Sequence, residues 1–94
     1  MRSTRGNPSR RQEITLEVVI VEQILQTCIS QASRSELRYI LSEMWPSISI
    51  YGLGKYLFYL IEFDLITYNG KNQVFVLTEI GLDLLHMIKK EKEI

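Results

Sequence analysis

Apolar residues recur at helical spacing in the first third of the chain. Between about Glu13 and Ser30, one side of the predicted helix carries an apolar stripe formed by Ile14, Val18, Val21, Leu25 and Cys28. The opposite side carries three more apolar residues, Leu16, Val19 and Ile20. Because a monomer would leave that second side uncovered, the pattern predicts that it meets a partner chain.

A second helix is predicted from a serine and a glutamate three residues apart. Ser33 and Glu36 have capping-box spacing, in which each side chain binds a free backbone amide at the helix start. The helix is predicted to end before Pro46, because the residue preceding a proline resists helical geometry. Its predicted inward stripe comprises Leu37, Ile40, Leu41 and Met44.

The third predicted helix runs from about Ile50 to Glu62, with Ser47 or Ser49 as its N-cap. At about 100° per residue, one side gathers Ile50, Leu53, Leu57, Leu60 and Ile61. The other side is predicted to face outward and gathers Tyr51, Lys55, Tyr59 and Glu62. Gly52 and Gly54 weaken the helix near its start, which suits a place where another molecule approaches the backbone closely.

Two β-prone runs and a last helix complete the pattern. The runs Leu65 to Tyr68 and Val74 to Leu77 flank a segment containing Asn69-Gly70, which predicts a hairpin. Thr78 is the predicted N-cap of the last helix. An apolar seam of roughly heptad spacing follows along that helix, formed by Ile80, Leu84, Met87 and Ile94.

Length and charge divide the chain into three parts. Its 94 residues suffice for one small core, so we assign 13–78 to one folded domain and 79–94 to a C-terminal helix. Eleven Lys and Arg balance eleven Asp and Glu, giving zero net charge. Residues 1–12 nevertheless contain four arginines, Arg2, Arg5, Arg10 and Arg11. This segment is predicted to be a flexible basic arm, although a merely solvated tail remains the alternative.

Several classes of function find no support in the sequence. No apolar run is long enough to span a bilayer and no secretory signal is visible, so we expect a cytoplasmic protein without a membrane partner. Cys28 is the only cysteine and His86 the only histidine, which predicts a core thiol, no disulfide and no metal site. Because neither a nucleophile elbow nor a glycine-rich phosphate loop occurs, we expect no enzyme activity and no cofactor.

The predicted order of three helices, a two-stranded hairpin and a final helix is that of a winged helix-turn-helix, an α+β fold that is mainly α. The residues also resemble an archaeal winged-helix family that includes the dimeric "10a" class of small DNA-binding chromatin proteins. Three segments carry this resemblance: Ile24-Leu25 with Cys28; Gly54-Lys55-Tyr56-Leu57 running to Leu60 and then Asp64-Leu65-Ile66; and Leu77-Thr78 with Gly81 and Leu84-Leu85.

The resemblance implies double-stranded DNA binding through the third helix and the wing, by a homodimer joined through the C-terminal helix. From the placement of cations and polar groups on the predicted elements, candidate DNA contacts are Arg10, Arg11, Arg34, Arg38, Ser49, Tyr51, Gly52, Lys55, Tyr59 and Lys71. Candidate dimer residues are Leu16, Val19, Ile20, Ile80, Leu84, Met87 and Ile94. The expected role is a transcriptional regulator or nucleoid-associated protein.

Two other readings of the sequence stay open. The outward side of the third helix carries Tyr51 and Tyr59 but only one lysine, so the domain could instead bind another protein through its aromatic residues. A regulator that senses an effector in a pocket between protomers is the other alternative. No motif in the sequence locates such a pocket.

Overall fold

A computed structural model describes residues 16–93 as four helices and one antiparallel two-stranded sheet. In chain order the elements are α1 (Val18–Cys28), α2 (Arg34–Met44), α3 (Ile50–Glu62), β1 (Ile66–Asn69), β2 (Val74–Leu77) and α4 (Glu79–Lys92). This order agrees with the sequence prediction and confirms the mainly helical α+β class. The predicted arm, with Arg10 and Arg11, and the last seam residue Ile94 lie outside the described residues.

The predicted helix starts are made by the predicted side chains. At α2, Ser33 Oγ accepts from the backbone N–H of Glu36 at 3.1 Å, and the Glu36 carboxylate accepts from that of Ser33 at 2.8 Å. Ser49 Oγ caps α3 by accepting from the Gly52 N–H at 2.9 Å. Thr78 Oγ1 does the same for α4. Each cap satisfies an amide that the first turn leaves free, which fixes where the helix begins.

One apolar core joins all the elements. Its buried residues are Ile20, Val21, Ile24, Leu25, Cys28, Ala32, Leu37, Leu41, Leu53, Tyr56, Leu57, Leu60, Ile66, Phe75 and Leu85. The prediction for the two sides of α1 was wrong at two positions. Ile20, assigned to a dimer interface, is 6% exposed in this core, whereas Val18, assigned to the inward stripe, is 58% exposed. The buried face is centred on Ile24 and Leu25, which rotates it away from the predicted stripe.

Predicted inward residues at helix ends are also more exposed than expected. Met44 at the end of α2 is 50% exposed, Ile50 at the start of α3 is 53% exposed, and Ile61 in its last turn is 40% exposed. The apolar stripe continues to the ends of each helix, whereas the core is covered only by the central turns. The central residues Leu37, Leu41, Leu53, Leu57 and Leu60 are buried as predicted.

The hairpin forms with a different turn from the one Asn69-Gly70 suggested. Gly70 does not adopt a positive φ; the left-handed residue is Gln73, with φ 59°. Asn69 Oδ1 accepts from the backbone N–H of Lys71 at 3.0 Å and thereby stabilises a four-residue loop between the paired residues Asn69 and Val74. Ala32, between α1 and α2, forms an isolated antiparallel bridge with Phe75 of β2.

Helix α4 packs directly on the rest of the fold. Gly81 is buried against the start of the hairpin, where a Cβ would overlap the carbonyl oxygen of Leu65 and lie 2.7 Å from a methyl carbon of Leu77. One turn later Leu85 enters the common core with 1% exposure. The predicted seam follows a different side of the helix, because Ile80 and Met87 are 54% and 59% exposed.

Candidate nucleic-acid interface

Three shallow depressions adjoin one another where α2 meets α3 and the hairpin. Arg38 shares the first with Ser49 and Ile50. The second depression is lined by Arg34, Ile50, Tyr51, Gly54, Lys55, Phe58 and Tyr59. In the third, Arg34 lies beside Tyr68 and Gln73 of the hairpin. We call the residues Arg34, Arg38, Ser49, Tyr51, Gly54, Lys55, Phe58 and Tyr59 the α2–α3 surface.

Arg34 links the second and third depressions, and Ile50 links the first to the second. Arg34 is the first residue of α2, so the Ser33 cap that starts the helix also fixes the backbone from which its side chain extends. Its terminal nitrogen Nη2 is 3.3 Å from the position that a Cβ on Gly54 would occupy. The guanidinium therefore rests against the bare backbone of α3, with Tyr51 and Lys55 lining the same depression.

The cations of this surface are free of ion pairs. Within residues 16–93 the sole ion pair joins Lys92 to Glu22 at 3.0 Å, on the side where α4 meets α1. No carboxylate lines any of the three depressions. Glu62 is the last residue of α3, and Glu36 of α2 is engaged in the helix cap with Ser33. Because Arg34, Arg38 and Lys55 form no ion pair with a carboxylate of residues 16–93, their charges are available to an anionic ligand.

This local excess of positive charge opposes the charge of the body as a whole. Of the 11 Lys and Arg in the chain, Arg2, Arg5, Arg10 and Arg11 precede Leu16, which leaves seven; of the 11 Asp and Glu, only Glu13 precedes it, which leaves ten. The described part is therefore net negative. An anion would consequently be attracted to the α2–α3 surface by local contacts and not by the overall charge.

The other candidate DNA residues are distributed unevenly around this surface. Tyr51 is 86% exposed, and Tyr59 is half-buried with its ring edge-to-face on Phe58 at 5.3 Å between centroids. Lys71 is exposed in the hairpin loop and lines none of the three depressions. Gly52 lines none of the three depressions: a Cβ there would meet Ile48 at 3.4 Å and Ser49 Oγ at 3.5 Å, so the open backbone beside Arg34 belongs to Gly54 and not to Gly52.

Phe58 belongs to the same surface and was not predicted from the sequence. Its ring is 59% exposed and lines the depression shared by Arg34, Tyr51 and Lys55. Counting along α3, residues 51, 55 and 58 are spaced i, i+4 and i+7, which puts all three on one side of the helix. The sequence shows this spacing, but an apolar residue is expected to face the core, so the pattern predicts no outward role for Phe58.

A second surface feature is an apolar groove between α1, the end of α3 and α4. Its lining residues are Leu16, Val18, Val21, Leu60, Phe63, Leu65, Leu84, Met87, Ile88 and Glu91. Three of the candidate dimer residues, Leu16, Leu84 and Met87, come together here. The remaining two described candidates on outward faces do not line the groove: Val19 is 47% exposed on α1, and Ile80 is 54% exposed at the start of α4.

The thiol and the imidazole have different surroundings. Cys28 is fully buried in the core, and burial raises the pKa of its thiol from 9.0 to about 11 because the thiolate would lose its hydration. The predicted core position of Cys28 is thereby confirmed. His86 is exposed on α4. The described residues bring together no group of three or more side chains that could hold a metal ion.

Comparison with known proteins identifies no relative: no family model, no curated protein and no solved structure matches this chain. Among the helices of residues 16–93, none combines the length and the apolar character that crossing a membrane requires.

Proposed function

We propose that this protein binds double-stranded DNA through a winged helix-turn-helix, with α3 in the major groove and the hairpin beside it. The element order supports this assignment. The bridge between Ala32 and Phe75 adds a short third pairing to the hairpin and ties it to the segment before α2. The observation that carries the proposal is the α2–α3 surface, where Arg34, Arg38 and Lys55 line neighbouring depressions and, among residues 16–93, form no ion pair and have no carboxylate beside them in those depressions.

The contacts offered by this surface are mainly of the kind that phosphates accept. Arg34 and Arg38 are on α2, which in this motif crosses the DNA backbone. Tyr51 and Ser49 can donate hydroxyl hydrogen bonds to phosphate oxygens. Lys55, on the outward side of α3, is the residue placed for a guanine edge. We therefore infer weakly specific binding, as in a nucleoid-associated protein or a transcriptional regulator of relaxed specificity.

The proposal is tested by comparing two double variants that remove equal charge. Arg38→Ala with Lys55→Ala alters the α2–α3 surface, and Lys89→Ala with Lys90→Ala alters the last turn of α4. The measurement is fluorescence anisotropy with a labelled duplex over a range of salt concentrations. Each lost phosphate contact lowers the slope of log K against log salt by about 0.9, so we expect the first variant to lose up to about 1.8 units of slope.

The Lys89 and Lys90 variant is the matched control and should keep the wild-type slope. If wild-type protein fails to bind duplex even at low salt, the proposal is wrong. It is equally wrong if both variants lose the same slope, because the cations of the α2–α3 surface would then have no special role.

We further propose that the protein acts as a homodimer joined at the apolar groove between α1 and α4. Phe63 and Met87 border this groove and are 62% and 59% exposed, so a partner chain that covers them would remove apolar surface from water and stabilise the dimer. A dimer would present two α3 helices to successive major grooves about one DNA turn apart. Met87→Asp should halve the mass measured by sedimentation, whereas Ile80→Asp, outside the groove, should leave it unchanged. An unchanged mass for Met87→Asp would remove this interface.

The aromatic residues of α3 favour a second candidate, a module that binds another protein. Tyr51 and Phe58 are both largely exposed, and aromatic residues are common anchors of protein interfaces. Under this alternative, Arg38→Ala with Lys55→Ala would leave partner binding largely intact, and Tyr51→Ala would abolish it. The cations favour DNA over a protein partner, because a cluster of positive charges without carboxylates beside it complements a polyanion.

A further inference from the structure

Aromatic rings and a cation alternate along the exposed side of α3. Tyr51, Lys55 and Phe58 line one depression and follow one another along two helical turns. The two rings are 86% and 59% exposed, so they contribute little to the core. Because both rings line the same depression, they form contiguous exposed apolar surface of the kind that marks an interaction site.

The spacing of these side chains fits a nucleic-acid strand whose bases are unpaired. Seven residues at 1.5 Å per residue separate the two ring positions by about 10 Å along the helix axis. A ring face on each side of a cation offers stacking to two bases and charge to the phosphate between them. In an intact duplex the base faces are covered by their neighbours, so only unpaired nucleotides can use both rings.

The cations of the surface decide between nucleic acid and a protein as the molecule that covers the rings. Arg34 rests on Gly54 beside Tyr51, and Lys55 lies between the two rings. With no carboxylate lining this depression, the surface complements a polyanion that also carries aromatic faces. Among macromolecules, nucleic acid with unpaired bases combines both properties.

We infer that the α2–α3 surface stacks unpaired bases on Tyr51 and Phe58, so that the protein prefers DNA containing unpaired nucleotides over uninterrupted duplex. This inference rests on the proposed DNA binding and specifies its target. Lys55 and Arg34 hold the phosphates of the same strand, and Glu62 limits the contact to the first turns of α3.

The test uses three DNA probes of the same length and base composition: a duplex, the same duplex with a central unpaired stretch of about eight nucleotides, and a single strand. Binding is measured by anisotropy at one moderate salt concentration and again at low salt. We expect the full chain to bind the probes with unpaired nucleotides at least about tenfold more tightly than the duplex, since base stacking on an aromatic residue has an effect of this size.

Three substitutions show which side chain causes the preference. Tyr51→Ala should reduce the preference about tenfold, and Tyr51→Phe should retain it because the ring is kept. Tyr39→Ala is the matched control: its ring is 66% exposed on α2 but lines none of the three depressions of the α2–α3 surface. Circular dichroism on each variant verifies that the fold is intact, as the exposure of both tyrosines predicts.

The outcomes separate this inference from the proposal on which it rests. Equal affinity for all three probes, or a preference that Tyr51→Ala leaves unchanged, overturns the stacking inference and leaves duplex binding standing. Failure to bind any of the probes at low salt overturns both and favours a protein partner. A preference for unpaired nucleotides that depends on the ring at residue 51 supports the inference.

Discussion

Gly81 and Gly54 are both helical glycines, but they lie in regions of opposite character. A Cβ on Gly81 would overlap the backbone of Leu65, where α4 packs on the start of the hairpin. A Cβ on Gly54 would meet only the end of the Arg34 side chain, at 3.3 Å. The first glycine is required by the packing of the fold. The second is not, since its neighbour is a flexible side chain at the surface.

This difference separates the buried part of the molecule from the part that is available to a ligand. In the region of Gly81, Leu85 and Leu77 pack α4 against the sheet. A side chain added at Gly81 must therefore displace the helix or the hairpin. Around Gly54, an open backbone, a cation and two exposed rings occupy the α2–α3 surface without contributing to the core. Substitutions in the first region should change stability, and those in the second should change binding.

The largest effect is expected for Gly81→Ala. The added methyl collides with a carbonyl group that cannot move without separating α4 from the hairpin, so we expect a loss of roughly 3 kcal/mol or more of unfolding free energy. Urea denaturation followed by circular dichroism measures it. A loss below about 1 kcal/mol would show that α4 packs on the sheet less closely than the structure has it.

The buried thiol gives the next largest effect, through pH. Burial raises the pKa of Cys28 from 9.0 to about 11, so the folded state holds the proton more tightly than the unfolded state. This contribution is fully present below pH 9 and is lost as the pH rises through 11, by about 2–3 kcal/mol in total.

Cys28→Ala supplies the matched comparison for this prediction. Both proteins titrate their tyrosines and lysines, so only the difference between their urea midpoints at pH 8 and pH 10.5 reports on the thiol. The wild type should lose more stability than the variant over that interval. Parallel losses in the two proteins would contradict a protonated, buried thiol.

A smaller loss of stability is expected where α3 is joined to the start of α1. The phenol oxygen of Tyr56 accepts from the backbone N–H of Glu17 at 2.9 Å, and the ring is 8% exposed. Tyr56→Phe removes the acceptor and should cost about 1 kcal/mol, measured by urea denaturation. Tyr39→Phe should change the free energy of unfolding little, because the ring of Tyr39 is exposed. Equal losses would show that the hydrogen bond to Glu17 contributes nothing.

How far the sequence predicts the molecule differs between these two regions. Capping residues and prolines act within one turn, so Ser33, Ser49, Thr78 and Pro46 predict the bounds of α2, α3 and α4 closely. Helix α1 has no side-chain cap, and it begins at Val18 and not near Glu13 as predicted. Rotation about a helix axis depends on neighbours distant in sequence, which explains why Ile20 was assigned to the wrong side of α1. The bridge from Ala32 to Phe75 joins segments more than 40 residues apart and leaves no local pattern.

The candidate site was predictable only in part for the same reason. The outward side of α3 follows from helical periodicity, and Tyr51 and Lys55 lie on it as expected. The position of Arg34 against Gly54 depends on how α2 and α3 cross, which no spacing within either helix reveals. Helical spacing puts Phe58 on the outward side of α3, but its apolar side chain is typical of a core residue. The sequence therefore predicts no outward role for it.

The smallest effect on stability, and the sharpest comparison, is expected for Gly54→Ala. Alanine favours the helix by about 0.5–1 kcal/mol, while its methyl occupies the space beside the Arg34 guanidinium at 3.3 Å. We therefore expect a protein that is slightly more stable by urea denaturation but binds DNA several-fold more weakly. Gly52→Ala is the control within the same helix: its Cβ faces Ile48, so it shares the helical gain without touching Arg34. If Gly54→Ala and Gly52→Ala bind DNA equally well, the open backbone beside Arg34 is not part of the interface, and the contrast with Gly81 reflects packing alone.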